Sequence, residues 1–188
     1  MGAVLGKLST NSGHRAHLGG LAALLVLILA AFLTLDSRSN STHVFAAFVS
    51  SAGNQVFIAL GIVLLSANAF RRREPREIWL VLLVAAGITV GVQLLKLAVG
   101  WCSPRPSGSP GGFPSGHAAF AFGLAFMLSQ RFPRLSVLWY AAAVAIAWSR
   151  LEMDKHYPYQ VWGGAVLGLE TAFVLRKRHL RRGALEPS

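Results

Sequence analysis

The chain has 188 residues, of which 54% are hydrophobic and only 13% are charged. Because a soluble domain needs a surface with roughly a quarter to a third charged residues, this composition excludes an ordinary soluble fold and favours the bilayer as solvent. The net charge of +11 is typical of proteins that bind nucleic acid. Here the basic residues lie between apolar runs, so we expect contact with membrane lipids and no nucleic-acid partner.

The first half of the chain predicts two membrane spans and a short helix between them. Leu18–Leu35 is an unbroken apolar run, longer than the roughly 7–15 apolar residues of a signal peptide, so we expect an uncleaved first span. Residues 43–70 contain no Lys, Arg, Asp or Glu, but polar residues interrupt them near position 53. This pattern predicts a short interfacial helix over 43–52 and a second span over 54–70.

Four further spans are predicted in the second half. Ile78–Leu95 is the third span, and residues 101–114, which carry four prolines and three glycines, form a loop. Residues 117–131 and 135–149 are predicted as spans four and five, and Tyr157–Leu175 as span six. The sequence therefore predicts an all-α protein: an integral membrane bundle of six transmembrane helices, with a short interfacial helix between spans one and two, in a single domain over 1–188.

The distribution of basic residues predicts the orientation. Of the 18 Lys and Arg residues, thirteen fall at the ends that would face the cytoplasm if the N-terminus lies inside. The other five fall on the outer side. This positive-inside bias predicts cytoplasmic N- and C-termini and, with the small size, a multi-pass protein of a bacterial inner membrane. The five outer residues are Arg38, Lys96, Arg105, Arg150 and Lys155.

Two outer segments carry histidines beside these cations. Ser115 is a suitable N-cap for span four, Gly116 permits close approach of a ligand, and His117 lies in the first turn. Since helix N-termini bind phosphate and Arg and Lys bind it through charge, we expect an anion site here. Taken alone, the same segment also fits an ordinary helix cap with an interfacial histidine.

The second histidine, His156, follows Arg150 by six positions and precedes Gln160 by four. Pro158 suits the first turn of span six, which makes Tyr157 the expected N-cap and places Gln160 within reach of His156. Such a pair alone is more often structural than catalytic. The interpretation as a site depends on the convergence of both segments, Lys96 and Arg105 on one side of the membrane.

Together these residues resemble the signature of the phosphatidic acid phosphatase type 2 superfamily of membrane phosphatases. The resemblance covers residues 96–160, and the second motif is a full string match. Two features depart from the family pattern: the spacing between Lys96 and Arg105 is longer, and Gln160 stands where the family has Asp. The three motifs are Lys96 with Arg105-Pro106, then Pro114-Ser115-Gly116-His117, then Ser149-Arg150 with His156 and Gln160.

The resemblance implies hydrolysis of a lipid phosphate or diphosphate at the periplasmic face. His156 would attack phosphorus and form a phosphohistidine, oriented by Gln160, and His117 would protonate the leaving group. No metal or other cofactor is implied. The substrate would be a polyprenyl diphosphate, a phosphatidate-like lipid or a lipid A phosphate. The implied phosphate-binding residues are Lys96, Arg105, Ser115, Gly116 and Arg150.

Two other functions fit the same residues. The protein would be a phosphotransferase if a second lipid replaced water as the acceptor. It would be a transporter or binding protein for lipid phosphates if the cationic site bound its ligand without chemistry. The absence of an internal sequence repeat and of broken spans argues against a transporter.

Overall fold

The computed structural model describes residues 16–26 and 40–185, and within those ranges all regular structure is helical, which confirms the all-α class. Residues 27–35 of the predicted first span lie outside the described residues. Short helices cover Val49–Gly53 (π), Gly100–Cys102 and Pro133–Leu135 (both 3₁₀). The longer helices are α1 (described over Ala16–Val26), α2 (Asn40–Phe48), α3 (Asn54–Arg71), α4 (Pro75–Val99), α5 (Gly116–Arg131), α6 (Ser136–Glu152) and α7 (Pro158–Leu185).

The expected break near position 53 is absent, because α2 continues into α3 through the π-helical turn. The backbone N–H of Asn54 reaches the carbonyl of Val49, five residues back, and the Ser51 hydroxyl donates to the Ala47 carbonyl at 2.8 Å. The polar residues are thus accommodated by a widened turn and do not end the helix. Ser41–Arg71 forms one apolar helical run of 31 residues.

Two helical runs in the described part of the chain, Ser41–Arg71 and Pro75–Cys102, are long and apolar enough to cross a membrane. Only 33% and 22% of their most apolar segments are buried inside the protein. A core helix of a soluble protein would be mostly buried, whereas these helices present large apolar side chains such as Leu60, Val63 and Leu97 outward. An apolar outer surface of this kind is that of a membrane protein.

Helix α5 lies at the centre and packs most extensively against α7. Two glycines of α7 permit the close approach: a Cβ on Gly164 would lie 2.2 Å from the Ser115 carbonyl oxygen, and one on Gly168 would lie 1.8 Å from that of Ala119. This small-xxx-small spacing is a common device of membrane helix pairs. As a consequence, the first turns of α5 and α7 meet at one end of the bundle.

The opposite end is joined by ion pairs. Arg131, at the end of α5, donates to Asn68 of α3 and to Glu74, which precedes α4. Arg176 of α7 bonds both carboxylate oxygens of Glu77, at 2.5 and 2.6 Å. These contacts fix the positions of α3, α4, α5 and α7 relative to one another along the bundle axis.

Candidate active site

The loop between α4 and α5 is ordered by backbone hydrogen bonds. The N–H of Gly111 donates to the Gly100 carbonyl at 2.9 Å, and the N–H of Gly112 donates to the Ser103 carbonyl at 3.0 Å. A further bond, from Arg105 N–H to the Ser109 carbonyl at 2.9 Å, closes the turn that carries Arg105. The proline- and glycine-rich segment is therefore a folded loop, as predicted, held over the ends of α4 and α7.

Ser115 occupies the N-cap position of α5, as predicted, but its hydroxyl does not cap the helix. The backbone makes the local contacts: Ser115 N–H donates to the Gln160 carbonyl at 2.9 Å, and Ala119 N–H donates to the Ser115 carbonyl at 3.1 Å. The hydroxyl oxygen is buried and has no hydrogen-bond partner among the described residues. This leaves a polar group available beside the first turn of α5.

His156 lies in the short connection between α6 and α7, and it is only 5% exposed. Its backbone N–H donates to the Arg150 carbonyl at 3.2 Å. Its Nδ1 lies 3.2 Å from the Oε1 of Gln160, and because an amide oxygen only accepts, Nδ1 must carry the proton. The Nε2 of His156 is therefore the nitrogen that has a free lone pair.

The orientation of the Gln160 amide is fixed by backbone groups on both sides. Its oxygen accepts from the backbone N–H of Tyr157 at 3.1 Å, an arrangement like a capping box at the start of α7. Its nitrogen lies 2.8 Å from the Pro104 carbonyl and 3.0 Å from the Ser103 hydroxyl. If the amide were flipped, its nitrogen would face the Tyr157 N–H and its oxygen would face the Pro104 carbonyl. Only the observed orientation therefore satisfies both backbone groups. Gln160 is thus a hydrogen-bond partner of the His156 ring.

Three cations surround the two histidines. Lys96, Arg105 and Arg150 each act electrostatically on both rings, and none of the three forms an ion pair with a carboxylate in residues 16–26 and 40–185. The Nε atoms of Arg105 and Arg150 are buried and have no hydrogen-bond partner there. Buried cationic donors without partners are costly unless an anion binds, so the geometry is that of an anion site.

The pKa of His156 is lowered to about 4 by burial first and then by the positive charges of Arg150, Arg105 and Lys96, against the opposing effect of its hydrogen bond to Gln160. The ring is therefore neutral near pH 7. A neutral imidazole with a free Nε2 beside several cations is suited to nucleophilic attack on an anionic substrate. No group of three or more His, Cys, Asp or Glu side chains that could hold a metal occurs in the part of the chain that is described.

One contact of the site was not expected from the sequence. The Nη1 of Arg150 donates to the hydroxyl of Ser50, in the π-helical turn between α2 and α3, 100 positions away. In addition, the Thr42 hydroxyl donates to the Oε1 of the buried Glu152 at 3.3 Å. Helix α2 and the turn that follows it are thus joined to the end of α6, next to Arg150. The polar residues near position 50 were the only sequence signal for this contact.

The fold and the site together are those of a helical membrane protein with a cluster of cations and two histidines at one end of its bundle. The sequence profile of the PAP2 superfamily matches residues 76–184, more than half of the chain, and the chain belongs to this superfamily. The expected family is thereby confirmed, and the matched range contains all eight candidate site residues. Membership supports phosphatase activity in general terms.

The fold is also that of a solved relative. The crystal structure described as the first transmembrane PAP2 type phosphatidylglycerolphosphate phosphatase from Bacillus subtilis superposes with a TM-score of 0.51 at 21% sequence identity. The alignment covers 85% of this chain and 94% of that one. At this identity the likeness concerns the fold. Comparison with curated protein sequences finds no match.

Proposed function

We propose that this protein hydrolyses a lipid phosphate or diphosphate at the periplasmic face of a bacterial inner membrane, through a phosphohistidine on His156 and without a metal ion. The observation that carries the proposal is the state of His156. Its Nδ1 is held by Gln160, its ring is neutral near pH 7, and it is surrounded by three cations that have no carboxylate partner among the described residues.

The first chemical step forms the covalent intermediate. The lone pair of His156 Nε2 attacks phosphorus and forms a P–N bond, while the P–O bond to the leaving group breaks. Binding of the substrate anion favours the protonated, cationic form of His117, which gives this proton to the departing oxygen and becomes neutral, so the lipid leaves as a neutral alcohol or as a protonated phosphate. Lys96, Arg105, Arg150, the Ser115 hydroxyl and the Gly116 N–H bind the non-bridging oxygens, where negative charge accumulates.

The second step releases phosphate. Water attacks phosphorus, the P–N bond breaks, and neutral His117 accepts the proton of the attacking water. His156 recovers its lone pair on Nε2, and inorganic phosphate leaves. His117 thus acts as acid in the first step and as base in the second, and the cycle returns both rings to their starting protonation.

The membrane setting supports a lipid substrate and an outer site. The site lies where α4 ends and α5 and α7 begin, at the opposite end of the bundle from the arginine-rich turn at 71–76. The positive-inside rule places that turn in the cytoplasm, and α3 to α7 then supply spans two to six, with α2 near the outer surface. Polyprenyl diphosphate, phosphatidate-like lipids and lipid A phosphate remain the candidate substrates. The Bacillus subtilis relative is described as a phosphatidylglycerolphosphate phosphatase, so this lipid is added to the candidates.

The decisive experiment supplies the detergent-purified protein with ³²P-labelled forms of this panel of candidate lipids and measures phosphate release. The reaction is then quenched without acid, so that ³²P bound to the protein is retained. We expect release without added metal and in the presence of EDTA, and a base-stable label that is absent in His156→Ala. His43→Ala is the matched control, since His43 is exposed on α2, and it should behave as wild type. A label retained in His156→Ala would contradict the phosphohistidine assignment.

The same assay separates the alternative functions. Transfer of ³²P to a second lipid in place of water would identify a phosphotransferase. Binding of the lipids without any release would identify a transporter or binding protein. Phosphate release that dominates over transfer is the outcome expected here.

The orientation has its own test. In a Cys102→Ala background, Ser107→Cys should react with a membrane-impermeant thiol reagent in intact cells, whereas Arg72→Cys should react only after permeabilisation. Both positions are exposed on the protein, so burial does not confound the result. The reverse pattern would place the site in the cytoplasm.

A further inference from the structure

The continuous helix formed by α2 and α3 changes its neighbours at the π-helical turn over Val49–Gly53. Helix α2 and the turn pack against α6, whereas α3 packs mainly against α4 and α5. A π-helical turn contains one residue more than an α-helical turn, so it rotates the side chains that precede it relative to those that follow. Such turns are frequent at functional sites, and this one contains Ser50, which contacts Arg150.

Two further contacts hold α2 on the end of α6. The Thr42 hydroxyl donates to the Oε1 of the buried Glu152 at 3.3 Å. The rings of Phe45 and Trp148 lie with their centroids 6.5 Å apart. Because α2 is attached to α6 in this way, the backbone of Ser50 is held in place beside the end of α6.

The Ser50 hydroxyl is the acceptor in its bond with Arg150, since a guanidinium group only donates. Ser50 is buried. Arg150 shares the site with Lys96 and Arg105, and Arg105 acts on it electrostatically. Like charges repel, so the guanidinium of Arg150 would move away from the other cations unless an acceptor held it. A hydroxyl holds the guanidinium without neutralising it, whereas a carboxylate would cancel the positive charge that attracts an anion.

We propose that Ser50 is a positioning residue: its hydroxyl holds the Arg150 guanidinium beside the two histidines, with the remaining N–H groups directed at the phosphoryl oxygens. The π-helical turn presents the hydroxyl at this point. This inference rests on the proposed function, in which Arg150 stabilises the negative charge that accumulates on those oxygens. In this role Ser50 does not touch the substrate, and its effect on the reaction passes through Arg150.

The first test is Ser50→Ala, which removes the acceptor and little else. Loss of a hydrogen bond to a charged group corresponds to roughly 10- to 100-fold, and we expect a fall of that size in kcat/KM for phosphate release. The fall should be mainly in kcat, because Arg150 acts most strongly on the transition state. Vanadate, which adopts the five-coordinate geometry of that state, should bind more weakly by a similar factor.

Ser51→Ala is the matched control. Ser51 is the next residue in the same turn, but it is exposed and its hydroxyl donates to the Ala47 carbonyl of its own helix at 2.8 Å. Its kcat/KM and vanadate affinity should be those of wild type.

A double variant tests whether Ser50 acts through Arg150. If it does, adding Ser50→Ala to Arg150→Ala should cause no further loss of kcat/KM or of vanadate affinity, because the group that Ser50 positions is already absent. A residue that only stabilises the packing of α2 on α6 would cause the same loss in both backgrounds.

The titration of His156 reports the position of Arg150 without turnover. The charge of Arg150 contributes to the lowered pKa of His156. If Ser50→Ala releases the guanidinium, the midpoint of His156 measured by NMR should shift upward, in the same direction as in Arg150→Ala. Ser51→Ala should leave the midpoint unchanged.

The outcomes separate this inference from the proposed function. Wild-type kcat/KM and vanadate affinity in Ser50→Ala, an unmoved His156 midpoint, or a further loss in the double variant would each overturn the positioning role. A lower thermal unfolding temperature with unchanged kcat/KM would reduce the bond to a contact between helices. All of these results would leave phosphate release standing. Absence of release from every candidate lipid would refute the proposed function, and vanadate binding and NMR would still decide whether Ser50 positions Arg150, since neither measurement needs turnover.

Discussion

The Oε1 of Gln160 lies 3.2 Å from the Nδ1 of His156, and the same side chain is bound on its other side by the loop that carries Arg105. The amide nitrogen lies 2.8 Å from the Pro104 carbonyl, and the Cβ of any residue replacing Gly112 would lie 2.3 Å from it. One amide therefore orients the proposed nucleophile and holds the anion-binding loop in place. A carboxylate at this position would keep the first of these contacts but could not donate to the Pro104 carbonyl.

Gln160→Glu tests whether the amide is needed in addition to the acceptor. The substitution keeps length and the acceptor for His156, but it places a carboxylate oxygen against the Pro104 carbonyl. An unsatisfied buried acceptor costs about 1–3 kcal/mol, so we expect a lower thermal unfolding temperature and at least a 5-fold loss of kcat/KM. Gln160→Ala should lose more, since the His156 tautomer is also released. A Gln160→Glu variant with wild-type kinetics and stability would show that the loop contact is dispensable.

Arg150→Lys tests the guanidinium geometry. Arg150 bonds Ser50 through Nη1 and has a buried, unbonded Nε, so its planar group can hold Ser50 and still offer donors to a phosphoryl oxygen. Lysine keeps the charge but not the paired N–H groups. Loss of one such donor typically costs about 10²–10³ in kcat, and we expect a loss of that order in steady-state phosphate release. The control is Arg134→Lys, exposed in the Pro133–Leu135 turn, and comparable activity in both variants would contradict the assignment.

The apolar runs and prolines of the sequence predicted most of the helices. This was possible because the bilayer requires each span to have its own minimum length and apolar composition. Residues 54–70, predicted as the second span, lie within α3, Asn54–Arg71, which continues the helix that begins with α2. Helix α4 begins at Pro75, three residues before Ile78, where the predicted third span begins. Proline fits the first helical turn, and the carboxylate of Glu77 is favourable near a helix N-terminus.

Contacts between distant helices were not predictable in the same way. The bond from Arg150 to Ser50 depends on how the helices pack against one another, and no periodicity within one helix encodes this. The motif residues were recognisable because they are near one another in sequence or belong to a known signature. The second side of the Gln160 amide was hidden because its partners, Ser103 and Pro104, bind largely through backbone groups whose position requires the folded loop.

Gly168→Ala tests the close packing that brings the two histidine segments together. An alanine Cβ would lie 1.8 Å from the Ala119 carbonyl oxygen, so α7 must move away from α5. Overpacking of this kind costs about 1–3 kcal/mol, and we expect a thermal unfolding temperature several degrees lower in detergent, together with weaker activity. Gly53→Ala is the control, because its Cβ would meet its nearest neighbour at an ordinary 3.5 Å. Equal stability of the two variants would contradict the proposed role of the α5–α7 contact.

The last prediction concerns the protonation of His156. Because its pKa is lowered from 6.5 to about 4, its ring should stay neutral as the pH falls from 7.5 to 5, a range in which an unperturbed histidine gains a proton. The lowered pKa of His156 also affects the stability of the protein. Between about pH 6.5 and 4 the unfolded chain binds a proton that the folded protein does not, so the folded state loses stability as pH falls through that window.

NMR of histidine-labelled protein, with the resonance assigned through His156→Ala, measures this pKa directly. We expect almost no titration of His156 down to pH 5. Since Arg150 lowers the pKa and the Gln160 hydrogen bond raises it, Arg150→Ala should shift the midpoint upward and Gln160→Ala should shift it downward. Vanadate should raise it, because a bound anion stabilises the protonated ring. A wild-type midpoint near 6.5, unmoved by Arg150→Ala, would mean that neither burial nor the cations lower the pKa of His156 and that its ring is protonated at lower pH.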